Sequence, residues 1–148
     1  MKVLKPFGEY LRERIAQRGV VDNNRAQSLL LEAERKWENL HKNVQKVGVD
    51  AGNANDYVEY CYDILLFLIR AALYKKGYSC SGLGAHEAEI AFARNLRCSE
   101  QEVQFLDELR FFRNGILYYG KRFDAEYAQK VIAFTLKNYG KLKEIALK

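Results

Sequence analysis

An all-α fold is predicted by three features of this 148-residue sequence. Apolar residues recur at spacings of three and four through most of the chain, and no stretch alternates apolar with polar residues as a strand would. The one proline, Pro6, lies outside every periodic segment. Leu, Ala, Glu and Lys, all strong helix formers, are abundant. Segments near 24–47, 56–76, 100–119 and 125–138 form the expected four-helix core bundle, with extra short helices around it.

Residues 1–21 read as an N-terminal extension and 22–148 as the helical domain. Within the extension, "FGEYLRERIAQRGV" (7–20) suits a short helix ending near Gly19. Asp22, Asn23 or Asn24 then caps a second helix running to about Val47. Its core stripe is Ala26, Leu29 or Leu30, Ala33, Trp37, Leu40 and Val44. "VGVDAGNAND" is the next break, with Gly48 and Gly52 as stop signals and Asn55 or Asp56 as a new cap.

The third helix, "YVEYCYDILLFLIRAALYKKG", is apolar on almost every side. Leu66 and Leu73 sit on its back while Ile64, Leu65 and Leu68 sit on its front. Such a helix is central in its bundle or lies in a subunit interface. Its polar exceptions, Glu59, Asp63 and Arg70, fall within a narrow arc at about 100° per residue and make one charged seam.

After Gly77 comes a glycine-bearing loop and a short helix from about Ala85. Ser99 opens a fifth helix, with Glu102 three residues on as a capping box, and Gly120 stops it. Asp124 caps the last helix, whose Tyr127, Val131 and Phe134 face inward and which bends or ends at Gly140.

With 49% apolar residues the chain is not disordered, and no run approaches the roughly 18 apolar residues of a membrane span. The start, "MKVLKPFGEY", lacks the apolar block of a signal peptide, so a cytoplasmic protein is expected. Cys61, Cys80 and Cys98 are odd in number and widely spaced, which suits reduced thiols rather than a disulfide framework or a zinc site. The net charge of +5 tilts the partner toward a polyanion such as RNA.

"GLGAHE" (82–87) offers backbone amides ahead of a helix, but its third glycine is replaced by Glu87 and no strand precedes it. "HEAEI" has only the first half of a zinc-protease motif, since Ile90 stands where the second histidine belongs. His41 lies on a charged helix and reads as solvated. Neither a metal nor a cofactor is expected.

The informative stretch is "LRFFRNGILYYGKRF" (109–123). Leu109, Phe112, Ile116 and Leu117 mark one apolar face, and Arg113 falls among them. Burying an unpaired guanidinium costs several kcal/mol, so Arg113 needs a partner, Glu59 or Asp63, or a wet cleft. Asn114, Tyr118 and Tyr119 add hydrogen-bonding tips on aromatic bodies, and arginine with stacking aromatics suits phosphate and bases. Arg70, Arg110 and His86 are further candidate ligand-binding residues.

"LRFFRNGILYYG" resembles the signature helix of the HEPN family, which reads Arg, a polar residue, several others, then His. The resemblance runs from about Arg25 to Leu142 and looks closest to small single-domain archaeal and bacterial members. The polar seam of the third helix and the "GYSCSGLGAHEAE" connection also look like family features. It implies an up-and-down helical bundle that forms a homodimer, with a cleft between protomers that cuts RNA without metal in active members. Arg113 and Asn114 take the places of the family's arginine and polar residue. The histidine four to six residues on is replaced here by Tyr118, Tyr119 and Gly120.

Histidine exchanges protons near neutral pH, whereas tyrosine, ordinarily near pKa 10, is a poor base there. Three functions follow from the resemblance. One is binding of RNA or nucleotide in a dimer cleft around Arg113, with nuclease activity weak or absent. Another is an active, metal-independent ribonuclease of toxin–antitoxin type using Arg113, Asn114 and a tyrosine or His86. The third is a protein-interaction module partnering a nucleotidyltransferase antitoxin.

Overall fold

The computed structural model describes residues 3–148, which are mostly helical with one small two-stranded sheet. The order is α1 (Phe7–Arg12), β1 (Ala16–Arg18), α2 (Asn23–Val47), α3 (Ala54–Lys75), β2 (Tyr78–Cys80), α4 (Ala85–Ala91), α5 (Glu100–Tyr119) and α6 (Ala125–Leu147). A single 3-10 stretch, Phe92–Leu96, follows α4 directly. No helix among the described residues is long and apolar enough to cross a membrane.

α3 is the axis of the molecule. It packs along α2 and α6 and touches α4 and α5, so its apolar residues are covered inside one chain. Ile64, Leu65, Leu68 and Ile69 are fully buried, and Leu66 and Leu73 on the opposite side are buried too. The need for a second copy to cover α3 therefore disappears. Among the exposed large apolar side chains, Phe111, Leu117, Tyr118 and Tyr119 cluster on the tail of α5.

The caps explain most boundaries. The Asp22 carboxylate accepts from the Arg25 amide at 3.0 Å to start α2. Ser99 and Glu102 form the reciprocal capping box of α5, and Asp124 accepts from the Tyr127 amide to start α6. Gly120 ends α5 in the left-handed conformation, at φ 63°. α6 continues through Gly140 to Leu147, because Tyr139, Leu142 and Ala146 carry its buried face past that exposed glycine.

Three local expectations are corrected. The first helix stops at Arg12 rather than near Gly19, since Arg14 turns left-handed at φ 62° and the chain passes into β1. Ala16–Arg18 then pairs antiparallel with Tyr78–Cys80, a sheet too short for alternation to reveal it. α3 is capped at Asn53, not Asn55 or Asp56. Asp50 accepts from the Gly52 and Asn53 amides and fixes that turn. Asn55 instead bonds the Lys121 carbonyl at 2.7 Å and the Phe123 amide at 2.9 Å, fastening the start of α3 to the α5–α6 turn.

Residues before α2 are built into the same core, to which they contribute Leu4, Phe7, Tyr10 and Ala16. Where they meet the end of α3, the Gly19 amide donates to the Gly77 carbonyl at 2.7 Å. A Cβ on Gly77 would stand 2.8 Å from the Gly19 carbonyl oxygen, and its φ of +81° already favours glycine. Gly77→Ala should thus cost about 2 kcal/mol, combining the clash and the backbone strain. Urea denaturation measures it, and an unchanged midpoint would show that this junction is loose.

Candidate functional site

The seam of α3 meets α4 and α5 in a line of charged side chains. Glu59, Asp63 and Arg70 project from α3, His86 and Glu89 from α4, and Asp107, Arg110 and Arg113 from α5. Three arginines lie along it, but they differ in how far the chain already occupies them.

Arg70 holds Glu89 with a two-pronged grip, Nε to Oε2 at 2.6 Å and Nη2 to Oε1 at 3.2 Å. Glu89 is buried, and its Oε1 also lies 2.9 Å from His86 Nδ1, which turns the rest of that exposed ring outward. Burial alone would raise the Glu89 carboxyl, but hydrogen bonds from His86 and Arg70 outweigh it and hold it below the ordinary carboxylate range. Arg110 is committed in the same way. Its Nε donates to Asp107 at 2.7 Å and its Nη2 lies 3.8 Å from Glu87, which accepts the Tyr10 hydroxyl at 2.8 Å.

Arg113 is held more loosely. Its ion pair runs from Nη2 to Asp63 Oδ1 at 3.5 Å, and the other Asp63 oxygen lies 3.7 Å from Lys36. The guanidinium carbon stands 5.4 Å from the centre of the Tyr62 ring, a cation–π contact. Arg113 Nε is buried without a hydrogen-bond partner among the described residues, while the side chain as a whole keeps 27% of its exposure. Of the two expected partners, Asp63 makes the contact. Glu59 feels Arg113 electrostatically, although burial dominates and raises its carboxyl above the ordinary range.

Tyr62 was legible only as part of the apolar rod, yet it is central to the site. Its hydroxyl is buried and has no partner among the described residues. Burial raises its pKa, while the nearby guanidinium groups of Arg113, Arg110 and Arg70 oppose that rise. One hydroxyl thus sits in the field of all three arginines. Its signal in the sequence was a phenol only about 60° around the helix from Glu59 at 100° per residue.

Asn114 is half-buried, and Tyr118 and Tyr119 are 75% and 87% exposed at the end of α5. The two tyrosines therefore offer free ring faces rather than hydrogen bonds that hold Arg113. Next to them, Lys121 lies over the rings of Phe112 and Phe123, at 5.1 and 5.5 Å. Among the described residues no group of three or more histidine, cysteine or carboxylate side chains is placed to hold a metal ion. Cys61 sits deep in the core, where burial pushes its thiol up to about 12 and leaves it unreactive at neutral pH.

Comparison with family models, curated proteins and solved structures finds no match for this chain.

Two outcomes follow from the seam. Glu89→Gln should lose about 3 kcal/mol, the lower end for breaking a buried pair, because Arg70 keeps some access to water. The depressed Glu89 pKa supplies stability that is present at neutral pH and lost as pH falls through its folded value, so the difference between wild type and variant should shrink in acid. Urea titrations at neutral pH and in the acid range check both. Tyr62→Phe removes a buried hydroxyl that has no partner among the described residues and should leave stability unchanged or raise it by about 1 kcal/mol. A thermal melt that drops markedly would mean the hydroxyl is satisfied.

Proposed function

We propose that this chain is a HEPN-like four-helix, up-and-down bundle that binds RNA or a nucleotide around Arg113, with weak or absent ribonuclease activity. The observation that carries the reading is the contrast between the arginines. Arg70 and Arg110 grip carboxylates closely, whereas Arg113 has one long ion pair among the described residues, to a carboxylate shared with Lys36, and keeps 27% of its side-chain exposure. A guanidinium that is loosely paired, partly exposed and in contact with an aromatic ring is suited to a phosphate oxygen. The free faces of Tyr118 and Tyr119 are suited to stacking on bases.

The exposed apolar tail of α5 supports a homodimer in which two such tails meet, so that the cleft is completed by both copies. Weak or absent cleavage fits the tyrosines that stand where the family has histidine. The runner-up, an active ribonuclease, has one observation in its favour. His86 is oriented by buried Glu89 in the manner of a proton-transferring histidine. Cleavage of RNA by the wild type that is lost in His86→Ala would establish that reading. The resemblance also implies a nucleotidyltransferase partner, and co-purification with such a protein would test it.

Arg113→Ala should weaken RNA binding by about tenfold or more, the worth of a charge-assisted contact, while costing about 1 kcal/mol of stability or less. Arg113→Lys should restore part of the binding, since lysine keeps the charge but lacks the planar fork. Fluorescence anisotropy with a labelled RNA and thermal melts on the three proteins separate the outcomes. A variant that melts far below wild type, with no RNA binding in the wild type, would make Arg113 a structural ion-pair residue.

A further inference from the structure

α5 and α6 are consecutive helices that both pack on α3 and meet each other through their side chains, leaving a shallow groove along the outer side of that contact. Its floor is the pair Phe105 and Phe134, half-buried rings with centroids 4.4 Å apart. The opening over them measures about 230 Å³ and is lined mostly by apolar surface, with Gln101 and Glu102 on one bank and Lys130 and Lys137 on the other. Towards the α5–α6 turn, the Tyr127 hydroxyl donates to Glu108 at 2.9 Å and closes the groove at that end.

The charges at this place are unevenly used. Glu102 accepts from the Ser99 amide and lies 3.4 Å from Lys141, and Glu108 is occupied by Tyr127. Lys130 lies over the Phe105 ring at 5.5 Å, and neither it nor Lys137 forms an ion pair among the described residues. Two exposed lysines without carboxylate partners thus flank an apolar trough.

We propose that the α5–α6 groove receives an amphipathic helix of a partner protein, with apolar side chains on the Phe105–Phe134 floor and carboxylates against Lys130 and Lys137. Helix-in-groove recognition uses anchors one turn apart on one face of the incoming helix. The positive bank selects acidic flanks and disfavours basic ones by like-charge contact. The site is independent of Arg113, which lies on the seam that α5 shares with α3.

The probe is a fluorescent, helix-stapled peptide of about 16 residues, long enough to hold a helix, with leucines at positions one turn apart and glutamates beside them. Its controls are a scrambled isomer and a version with lysine in place of glutamate. The proposal predicts saturable anisotropy with the acidic peptide, at least about tenfold tighter than either control. Lys130→Glu/Lys137→Glu should weaken that binding by about tenfold and reverse the preference between acidic and basic peptides. Phe134→Ser should weaken both, and Arg113→Ala should leave binding unchanged, so failure here is distinguishable from failure of the RNA reading. Equal binding of acidic and basic peptides, or wild-type binding by the double variant, would overturn it. So would sedimentation that shows a wild-type dimer converted to monomer by the double variant, because the occupant would then be a second copy.

Discussion

The burial of α3 is the constraint on which the rest of the molecule depends. A helix with apolar residues on nearly every side must be surrounded, and here α2, α6, α4 and α5 do this within one chain. α2 and α6 take the greater part of its length. α4 and α5 cover the remaining side, where the charged seam runs. The first residues of the chain pack on α4 and β2, with Tyr10 buried and β1 tied to β2.

Polar groups on such a rod have to be satisfied by the helices that cover it. Arg70 is answered by Glu89 from α4, and Asp63 by Arg113 from α5 and Lys36 from α2. The pairing is graded along the seam. It is short and two-pronged at the α4 end and long and single at Arg113, where α5 begins to leave the core. The same departure exposes Phe111, Leu117, Tyr118 and Tyr119. An arginine with spare donors therefore stands where the structure changes from packed interior to open aromatic surface, and this juxtaposition supports the proposed ligand.

Much of the architecture was legible in the residues. Asp22, Ser99 with Glu102, Gly120 and Asp124 act locally, within one helical turn, so their roles as caps or stops could be read from type and spacing. The narrow arc of Glu59, Asp63 and Arg70 follows from helix geometry alone and is preserved in the seam. What escaped depends on contacts remote in sequence. The β1–β2 pair joins residues about sixty positions apart over three residues a strand, and Asn55 caps a turn near residue 121. Tyr62 and Glu89 gain their importance only when α3, α4 and α5 converge, and the apolar surplus of α3 suggested a second copy because its covering helices could not be seen.

The graded pairing is open to direct observation through the guanidinium Nε–H resonances of Arg70, Arg110 and Arg113 in nitrogen-15 spectra, recorded while a short single-stranded RNA is added. Guanidinium groups locked in close ion pairs keep their Nε–H shifts, whereas one whose exposed Nη groups acquire a phosphate partner passes the change on to its buried Nε–H. The account predicts that the Arg113 signal shifts saturably with RNA while those of Arg70 and Arg110 stay in place. An Arg113 signal that does not move at saturating RNA, or three signals that move together, would contradict it.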